Sequence, residues 1–348
     1  MIGVDISDRS IKIAQLSRGK SRRLLAHCTL DLPEGIMSNG VVKQQDRMQK
    51  YLREAMDSCN LPIDKGYLRR FNRVVVASIP EMQSFLRVVE IPKMFEDEID
   101  EAVRWEIAQH VPFSLDKIYV DWQLLNGSTR VSSNGKQEVQ VGVAQKVVVD
   151  SLYETFRALD LDVAAFELES QAIVRSLISS TLRKKRGLLV VDLGGTATNV
   201  VIHDRGAMRF TASLQKGIQY LVSSLRPDDV RSVTVDMGKM DTKTSDYLKP
   251  LMMPAMEELV KEVKGIVEFY NGIDAKHEVR EIIVTGGGSN APGLDDAFLK
   301  YFSSVHVQRG NPWINILVGR HTARPPMEIK ESARFTTALG LALRHVIT

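Results

Sequence analysis

Leu188-Leu189-Val190-Val191-Asp192-Leu193-Gly194-Gly195-Thr196-Ala197-Thr198-Asn199-Val200-Val201-Ile202 sets two short apolar runs, rich in β-branched residues, on either side of a turn with two glycines. Runs of this length and composition read as strands, and the glycines between them permit a tight hairpin. The hairpin carries a carboxylate on Asp192 and hydroxyls on Thr196 and Thr198. A turn without bulky side chains exposes backbone N–H groups to an anion, and a nearby carboxylate can hold the hydrated cation that accompanies a nucleotide. Gly194, Gly195, Thr196 and Thr198 are therefore candidate phosphate contacts. Asp-x-Gly between strands is also an ordinary β-turn, so this reading depends on the rest of the chain.

The same device opens the sequence. Ile2 to Ile6 and Ser10 to Leu16 read as strands joined by Ser7-Asp8-Arg9, with Asp5 placed as Asp192 is in the other copy. A third turn, Gly286-Gly287-Gly288, follows the apolar strand Glu281 to Thr285 and precedes a helix reaching Phe302. There the backbone can approach a flat ligand closely. Two hairpins, each with an aspartate, suggest two similar lobes facing each other across a cleft.

Composition sets limits. A chain of 348 residues exceeds the usual single-domain size. It is 44% hydrophobic and 26% charged, as soluble globular chains are, and has no apolar run of the roughly 18 residues that a bilayer span needs. The opening Met1-Ile2-Gly3-Val4-Asp5 enters a strand at once, without the basic and apolar regions of a secretory leader. Cys28 and Cys59 fall at apolar positions and read as reduced core residues of a cytosolic protein. A net charge of +3 gives no argument for nucleic acid. The basic run Arg183 to Arg186 reads as a solvated helix end, with weak attraction to an anionic membrane as the lesser reading.

Between the hairpins, Arg23 to Leu30 adds a third strand. Met48, Leu52, Ala55, Met56 and Cys59 mark an amphipathic helix, and Arg73 to Ile79 another strand. This order and the missing glycine fingerprint exclude a dinucleotide-binding fold. From Glu81 to Val147 the pattern is strand, helix, strand, strand, which reads as a small inserted subdomain. Its helix has an acidic first turn at Glu96 to Glu98, an apolar stripe of Ile99, Val103, Ile107 and Val111, and a stop at Pro112. Helices are expected at Val148 to Leu159, Glu169 to Leu182, Met252 to Tyr270 and Arg334 to Val346, with Gln308 to Val318 and Arg324 to Glu331 irregular. The methionines of the long helix read as core.

Taken together, the three turns resemble those of the actin, Hsp70 and sugar-kinase ATPase superfamily, and the insertion resembles that of its FtsA and PilM branch. Arg104-Trp105-Glu106-Ile107-Ala108-Gln109-His110-Val111-Pro112-Phe113 is similar to the Trp-Glu-x-x-Gln-x-Ile-Pro-Phe signature of the PilM family of type IV pilus assembly proteins. Pro33-Glu34-Gly35-Ile36, Asn39-Gly40, Ile91-Pro92, Asn311-Pro312 and Ala338-Leu339-Gly340-Leu341-Ala342-Leu343-Arg344 extend the resemblance over nearly the whole chain.

The resemblance implies a two-lobed α/β actin-like ATPase fold with a ribonuclease H-like core and an inserted small α+β subdomain. Residues 1–80 with 148–187 and 332–348 would form the first lobe, 81–147 the insert, and 188–331 the second lobe. It implies ATP and Mg²⁺ as cofactors, with Asp5 and Asp192 positioning Mg²⁺ through water. Ser7, Ser10, Lys12, Gly194, Gly195, Thr196 and Thr198 would hold phosphates, Gly286, Gly287 and Gly288 the adenosine, and Glu262 the ribose. Glu169, which a helix dipole would equally favour, is the candidate for orienting an attacking water. Hydrolysis is expected to be slow or absent.

As partner the resemblance implies the cytoplasmic N-terminal peptide of PilN, bound at the inner membrane in an apolar groove between first lobe and insert, with Trp105 and Phe113 as the nearest guesses. It also allows other pilus assembly components, including motor ATPases, and self-association, with no nucleic acid and no integral membrane segment. The location implied is the cytoplasmic face of the inner membrane. An FtsA-like filament former is the alternative; it would carry an amphipathic membrane helix after a linker, whereas this sequence closes at Thr348. A sugar-kinase-like activity lacks an acceptor-binding aspartate motif.

One departure stands out. The superfamily pattern Asp-x-Gly-Ser is replaced by Asp5-Ile6-Ser7-Asp8. A serine at a positive φ is expected to strain the turn, and the Asp8 carboxylate to repel phosphate unless Mg²⁺ or Arg9 compensates.

Overall fold

The chain is described from a computed structural model, which covers all residues except 20–21, 62–72, 112, 126–134, 183–186, 224, 227–239, 274–278, 318–323 and 345–348. The basic run at 183–186, the stop at Pro112 and the proposed end of the last helix at Val346 lie outside the described residues.

Strands β1 (Ile2–Ser7) and β2 (Ser10–Leu16) form the expected hairpin, with Asp5 opposite Lys12. β3 (Leu24–Asp31) pairs with β2. A two-residue pair, β4 (Met37–Ser38) and β5 (Val41–Val42), closes through Asn39 and Gly40, both at positive φ. After helix α1 (Gln45–Ser58), β6 (Val74–Ile79) joins β1 in parallel. A short 3₁₀ turn (Glu81–Gln83) then leads into β7 (Ser84–Pro92), α2 (Glu96–Ala108), β8 (Ile118–Leu124) and β9 (Lys136–Gln145), the strand, helix, strand, strand order read from sequence. α3 (Lys146–Ala158) and β10 (Asp162–Leu168) return the chain to the first sheet, whose order is β10-β6-β1-β2-β3.

β1 is buried on both faces. Ile2, Val4 and Ile6 share a core with Met48, Leu52 and Met56 of α1 and Leu152 and Phe156 of α3. The opposite face, at Gly3, meets the chain at Ala338 so closely that a Cβ would lie 2.1 Å from the Ala338 carbonyl.

α4 (Glu169–Leu177) then leads to β11 (Leu188–Leu193) and β12 (Thr198–Asp204), the second hairpin, with Asp192 opposite Asn199. β13 (Ala207–Leu214) pairs with β12 and is followed by α5 (Ile218–Val222) and α6 (Thr242–Ile273). β14 (Glu281–Thr285) runs parallel to β11, and α7 (Leu294–Tyr301), β15 (His306–Arg309), α8 (Ile329–Ser332) and α9 (Thr336–Ala342) complete the chain. Met252, Met256, Leu259 and Val263 of α6 pack into the core beneath this sheet, as their spacing requires.

The second sheet, β15-β14-β11-β12-β13-β7-β9-β8, runs on into the insert. Phe210 of β13 faces Arg87 of β7, Leu86 N donates to Thr211 Oγ1 at 3.1 Å, and Arg209 pairs with Glu138 at 2.7 Å. The insert is thus bonded to the second lobe's sheet edge.

Several sequence expectations need correction. The stretch from Gln308 is a strand at its start, because β14 offers a parallel edge there, and α8 overlaps the end of the stretch read as irregular up to Glu331. α6 begins ten residues before Met252 and runs through Pro250 and Pro254. α4 stops at Leu177 rather than Leu182. Trp105 and Phe113 are both exposed, Trp105 by 70%. Cys28 and Cys59 are disulfide-bonded, not reduced: β3 lies against the C-terminal end of α1 and brings their Cα atoms to 5.3 Å. No helix among the described residues is long and apolar enough to cross a membrane.

Candidate functional site

The two hairpins and the third glycine turn converge on one cleft. Its lining includes Asp5, Ser7, Ser10 and Lys12 from the first hairpin, Glu169 from the start of α4, Asp192, Gly194, Gly195 and Thr196 from the second hairpin, and Gly286 and Gly287 from the third turn. These candidates come together because β1 and β11 each deliver an aspartate to the end of a central strand, and α4 starts where β10 ends.

Asp5 is buried and held from two sides: Ser78 Oγ donates to its Oδ1 at 3.0 Å, and Lys12 Nζ lies 3.6 Å from its Oδ2. Burial pushes the Asp192 carboxyl up to about 7, Asp5 adds to the rise, and Lys12 opposes it. Glu169 is raised well above the ordinary carboxylate range, first by burial, then by Asp5, Asp192 and Glu81. Glu81, at the entry to the insert, is also raised, mainly by burial. Three carboxyls that resist ionisation, gathered in one cleft with Asp5, make it a place where a cation would be welcome.

Glu169 is fixed by two donors. Glu81 N donates to Glu169 Oε2 at 3.3 Å and Asn199 Nδ2 donates to the same oxygen at 2.8 Å. Ser213 Oγ in turn donates to Asn199 Oδ1 at 2.8 Å, which fixes the amide's orientation. Gly286, at φ +88°, lets the third turn pass Asp192 so closely that a Cβ would sit 2.4 Å from Asp192 Oδ1. Gly217 closes the second hairpin from behind, with Ile218 N donating to Gly194 O and Gln219 N to Gly195 O.

The backbone strain expected at Ser7 is absent. Ser7 is the last residue of β1 and is not among the residues at positive φ; its Oγ accepts from Ser10 N at 3.2 Å. Asp8 also lines the cleft, where its carboxylate accepts from Asn39 N at 2.8 Å and Gly40 N at 3.0 Å in the β4–β5 turn.

Three candidates lie outside the lining. Thr198 is fully buried and donates to Lys216 O at 2.5 Å. Gly288 packs where a Cβ would meet Leu193 and Ile218. Glu262 points elsewhere on α6, paired with Lys216 at 2.6 Å. Conversely, Ser78, Glu81, Asn199, Arg334 and Thr337 take part without having been singled out; the lone hydroxyl of Ser78 in the apolar strand Val74–Ile79 was a readable signal.

A second cavity, of about 550 Å³, opens between the insert and the first lobe. Val143 and Ala144 of β9 face Val149 of α3 and Phe166 and Leu168 of β10, with Gln123, Gln140 and Gln171 supplying amides. β8 forms its rim and is the terminal strand of its sheet. Neither Trp105 nor Phe113 contributes to it.

Residues 3–346 match the family model described as type IV pilus assembly protein PilM. Among solved structures the chain is similar to one described as the PilM-PilN type IV pilus biogenesis complex, with a TM-score of 0.80 and 23% identity over 100% of this chain and 98% of that one. It is also similar to the ethanolamine utilization protein EutJ from Carboxydothermus hydrogenoformans, with a TM-score of 0.55 and 14% identity over 98% and 88% of the two chains. An MreB of Spiroplasma citri bound to AMPPNP gives 0.50 and 10% over 97% and 93%. The expected two-lobed α/β actin-like fold is the one found.

Proposed function

The chain belongs to the PilM family of type IV pilus assembly proteins, and on that premise we propose an ATP-binding scaffold that takes the cytoplasmic N-terminal peptide of PilN. The observation that carries the peptide reading is the groove between insert and first lobe, apolar with three amides and rimmed by a terminal strand. An extended peptide can add to such an edge through its main chain while its side chains fill the apolar floor. The solved structure of highest TM-score quoted above is described as a complex with PilN, which supports the assignment. The proposed location is the cytoplasmic face of the inner membrane, and the proposed boundaries are those read from sequence, 1–80 with 148–187 and 332–348, 81–147, and 188–331.

For the nucleotide, the donor set fits. Asp5 and Asp192 would hold Mg²⁺ through its waters, since no three His, Cys, Asp or Glu side chains gather as direct ligands among the described residues. The amides of both hairpin turns would hold the β- and γ-phosphates, and Lys12 would add a positive charge. When bound, Mg²⁺ neutralises phosphate charge and relieves the repulsion among the cleft carboxylates. Glu169, fixed by Asn199 and Glu81 N, would orient a water; its raised proton affinity favours the protonated carboxyl, which cannot accept a proton until a cation lowers that affinity, and this supports slow hydrolysis. Glu262 has no place in this proposal. The FtsA-like alternative is not favoured, because the family matched over residues 3–346 is PilM.

Calorimetric titration of a synthetic PilN N-terminal peptide into the protein, with and without Mg·ATP, tests the proposal. Saturable binding is expected; its absence under both conditions overturns it.

A further inference from the structure

The residues of β8 divide between two faces. Ile118, Val120, Trp122 and Leu124 pack into the insert's own core, so Tyr119, Asp121 and Gln123 turn the other way, to the groove between insert and first lobe. Each stands opposite a β9 residue that also lines the groove: Ala144, Gly142 and Gln140 in turn. Asp121 is therefore the one whose cross-strand neighbour has no side chain, and space is left beside its carboxylate.

Among the residues that line the groove, Asp121 carries the only formal charge. Two polar neighbours are already engaged: Tyr119 OH donates to Asp150 Oδ1 at 2.9 Å, and Gln140 Nε2 donates to Met208 O at 2.9 Å. Asp121 Oδ1 accepts from Trp122 N at 3.0 Å, whereas Oδ2 meets no donor among the described residues. Lys146 Nζ lies over the Tyr119 ring, 5.5 Å from its centroid, and makes no ion pair with Asp121. While the groove is open, water solvates this exposed carboxylate. Whatever covers it must bring a positive charge or bear the cost of desolvating an unpaired one.

β8 ends its sheet, so its outer edge can take another strand. In an added strand, the residue paired with Asp121 would set its side chain on the same face, with Cβ atoms about 4.5–5.5 Å apart. The residues two positions to either side would share that face and meet the apolar wall of Val149, Phe166 and Leu168.

We propose that Asp121 determines the specificity of the groove by selecting a Lys or Arg side chain in the bound extended segment, flanked two residues away on each side by apolar side chains. The inference rests on the peptide reading above and names the feature of the peptide that is recognised. A neutral segment of the same shape leaves Asp121 covered and unpaired, and an acidic one is repelled.

The test is calorimetric titration of the parent and of Asp121→Asn with the synthetic PilN N-terminal peptide and with versions in which each Lys or Arg is replaced in turn by Gln. One of these replacements should weaken binding to the parent by about three- to tenfold, and Asp121→Asn should weaken binding of the unaltered peptide by a similar factor. The two changes together should cost no more than either alone, because both remove one contact. Asp121→Lys should bind the unaltered peptide more weakly still and should regain affinity when the same peptide residue is Glu, a rescue that a merely structural role would not give. Raising the salt concentration should narrow the gap between the parent and Asp121→Asn. Equal affinity of the parent and Asp121→Asn for the unaltered peptide, full additivity of the paired changes, or parent binding that survives neutralising every Lys and Arg overturns this inference alone. Absence of peptide binding by the parent overturns the peptide reading and this inference with it.

Discussion

The Asn199 side-chain nitrogen donates to Glu169 Oε2 across 2.8 Å, tying β12 of the second lobe to the first residue of α4 in the first. This bond lies at the floor of the cleft, so both lobes contribute to holding the carboxylate. Asn199→Asp would set a second carboxylate against Glu169, whose ionisation is already opposed by burial, Asp5, Asp192 and Glu81. The variant is expected to lose about 1–3 kcal/mol of stability at pH 8, the cost of an unsatisfied buried polar group. It should lose less at pH 5, where the carboxyls keep their protons. Urea denaturation at the two pH values measures the difference.

Asp192 makes the apo protein sensitive to pH. In the folded state its carboxyl holds a proton up to about 7, against 3.8 ordinarily. The folded chain therefore binds more protons than the unfolded one between those values, and this group's contribution to stability falls as pH rises from about 4 to about 7. Asp192→Asn should accordingly be more stable than the parent at pH 8 and not at pH 4, by thermal melting without nucleotide. The same change should abolish Mg·ATP binding. Parent affinity for Mg·ATP should climb with pH and level off above about 7, because the cation needs the ionised carboxylate.

The crossing of α4 and α9 depends on a missing side chain. A Cβ on Gly340 would lie 1.9 Å from the Ala172 carbonyl oxygen, whereas one on Gly265 of α6 would meet nothing within 4 Å. Gly340→Ala should destabilise by about 3 kcal/mol or more through overpacking. Gly265→Ala should stabilise by about 0.5–1 kcal/mol, the helix preference of alanine over glycine. Denaturation midpoints of the two variants check both signs.

Cys28 and Cys59 join β3 to the end of α1. Alkylation of the folded protein without reductant should add no mass, and two adducts should appear after reduction and unfolding. Reduction should also lower the melting temperature, since cross-links of this kind contribute about 2–4 kcal/mol.

The parts of the fold that sequence disclosed are those written locally. The apolar runs around Asp5 and Asp192, the glycines at 286–288 and the stripe Ile99, Val103, Ile107 at four-residue steps specify their own elements, and the hairpins come together because two copies of one device face each other. What sequence hid depends on distant pairing. Nothing near Asp8 shows that Asn39 and Gly40 will satisfy it, and nothing near Cys28 shows that α1 ends beside it. Asn199 reads as one more strand residue until α4 is placed under it. Nothing near Glu262 shows that Lys216 will pair with it. The insert was visible as a block of elements, but its union with β13 rests on pairs such as Arg87 with Phe210 and Glu138 with Arg209, which no periodicity encodes.

The central claim is that the groove beside β8 takes the PilN peptide, and Gly142 gives direct access to it. Gly142 lines the groove, and a Cβ there would meet only Leu168 Cδ1 at 3.7 Å and Asp121 O at 3.9 Å, so a larger side chain would project into the cavity without disturbing the backbone. The decisive measurement is calorimetric titration of the peptide into the parent and into Gly142→Phe, with Mg·ATP affinity recorded for both. The account predicts saturable peptide binding by the parent, at least a tenfold loss in Gly142→Phe, and the same nucleotide affinity in each. Undiminished peptide binding by Gly142→Phe would contradict it.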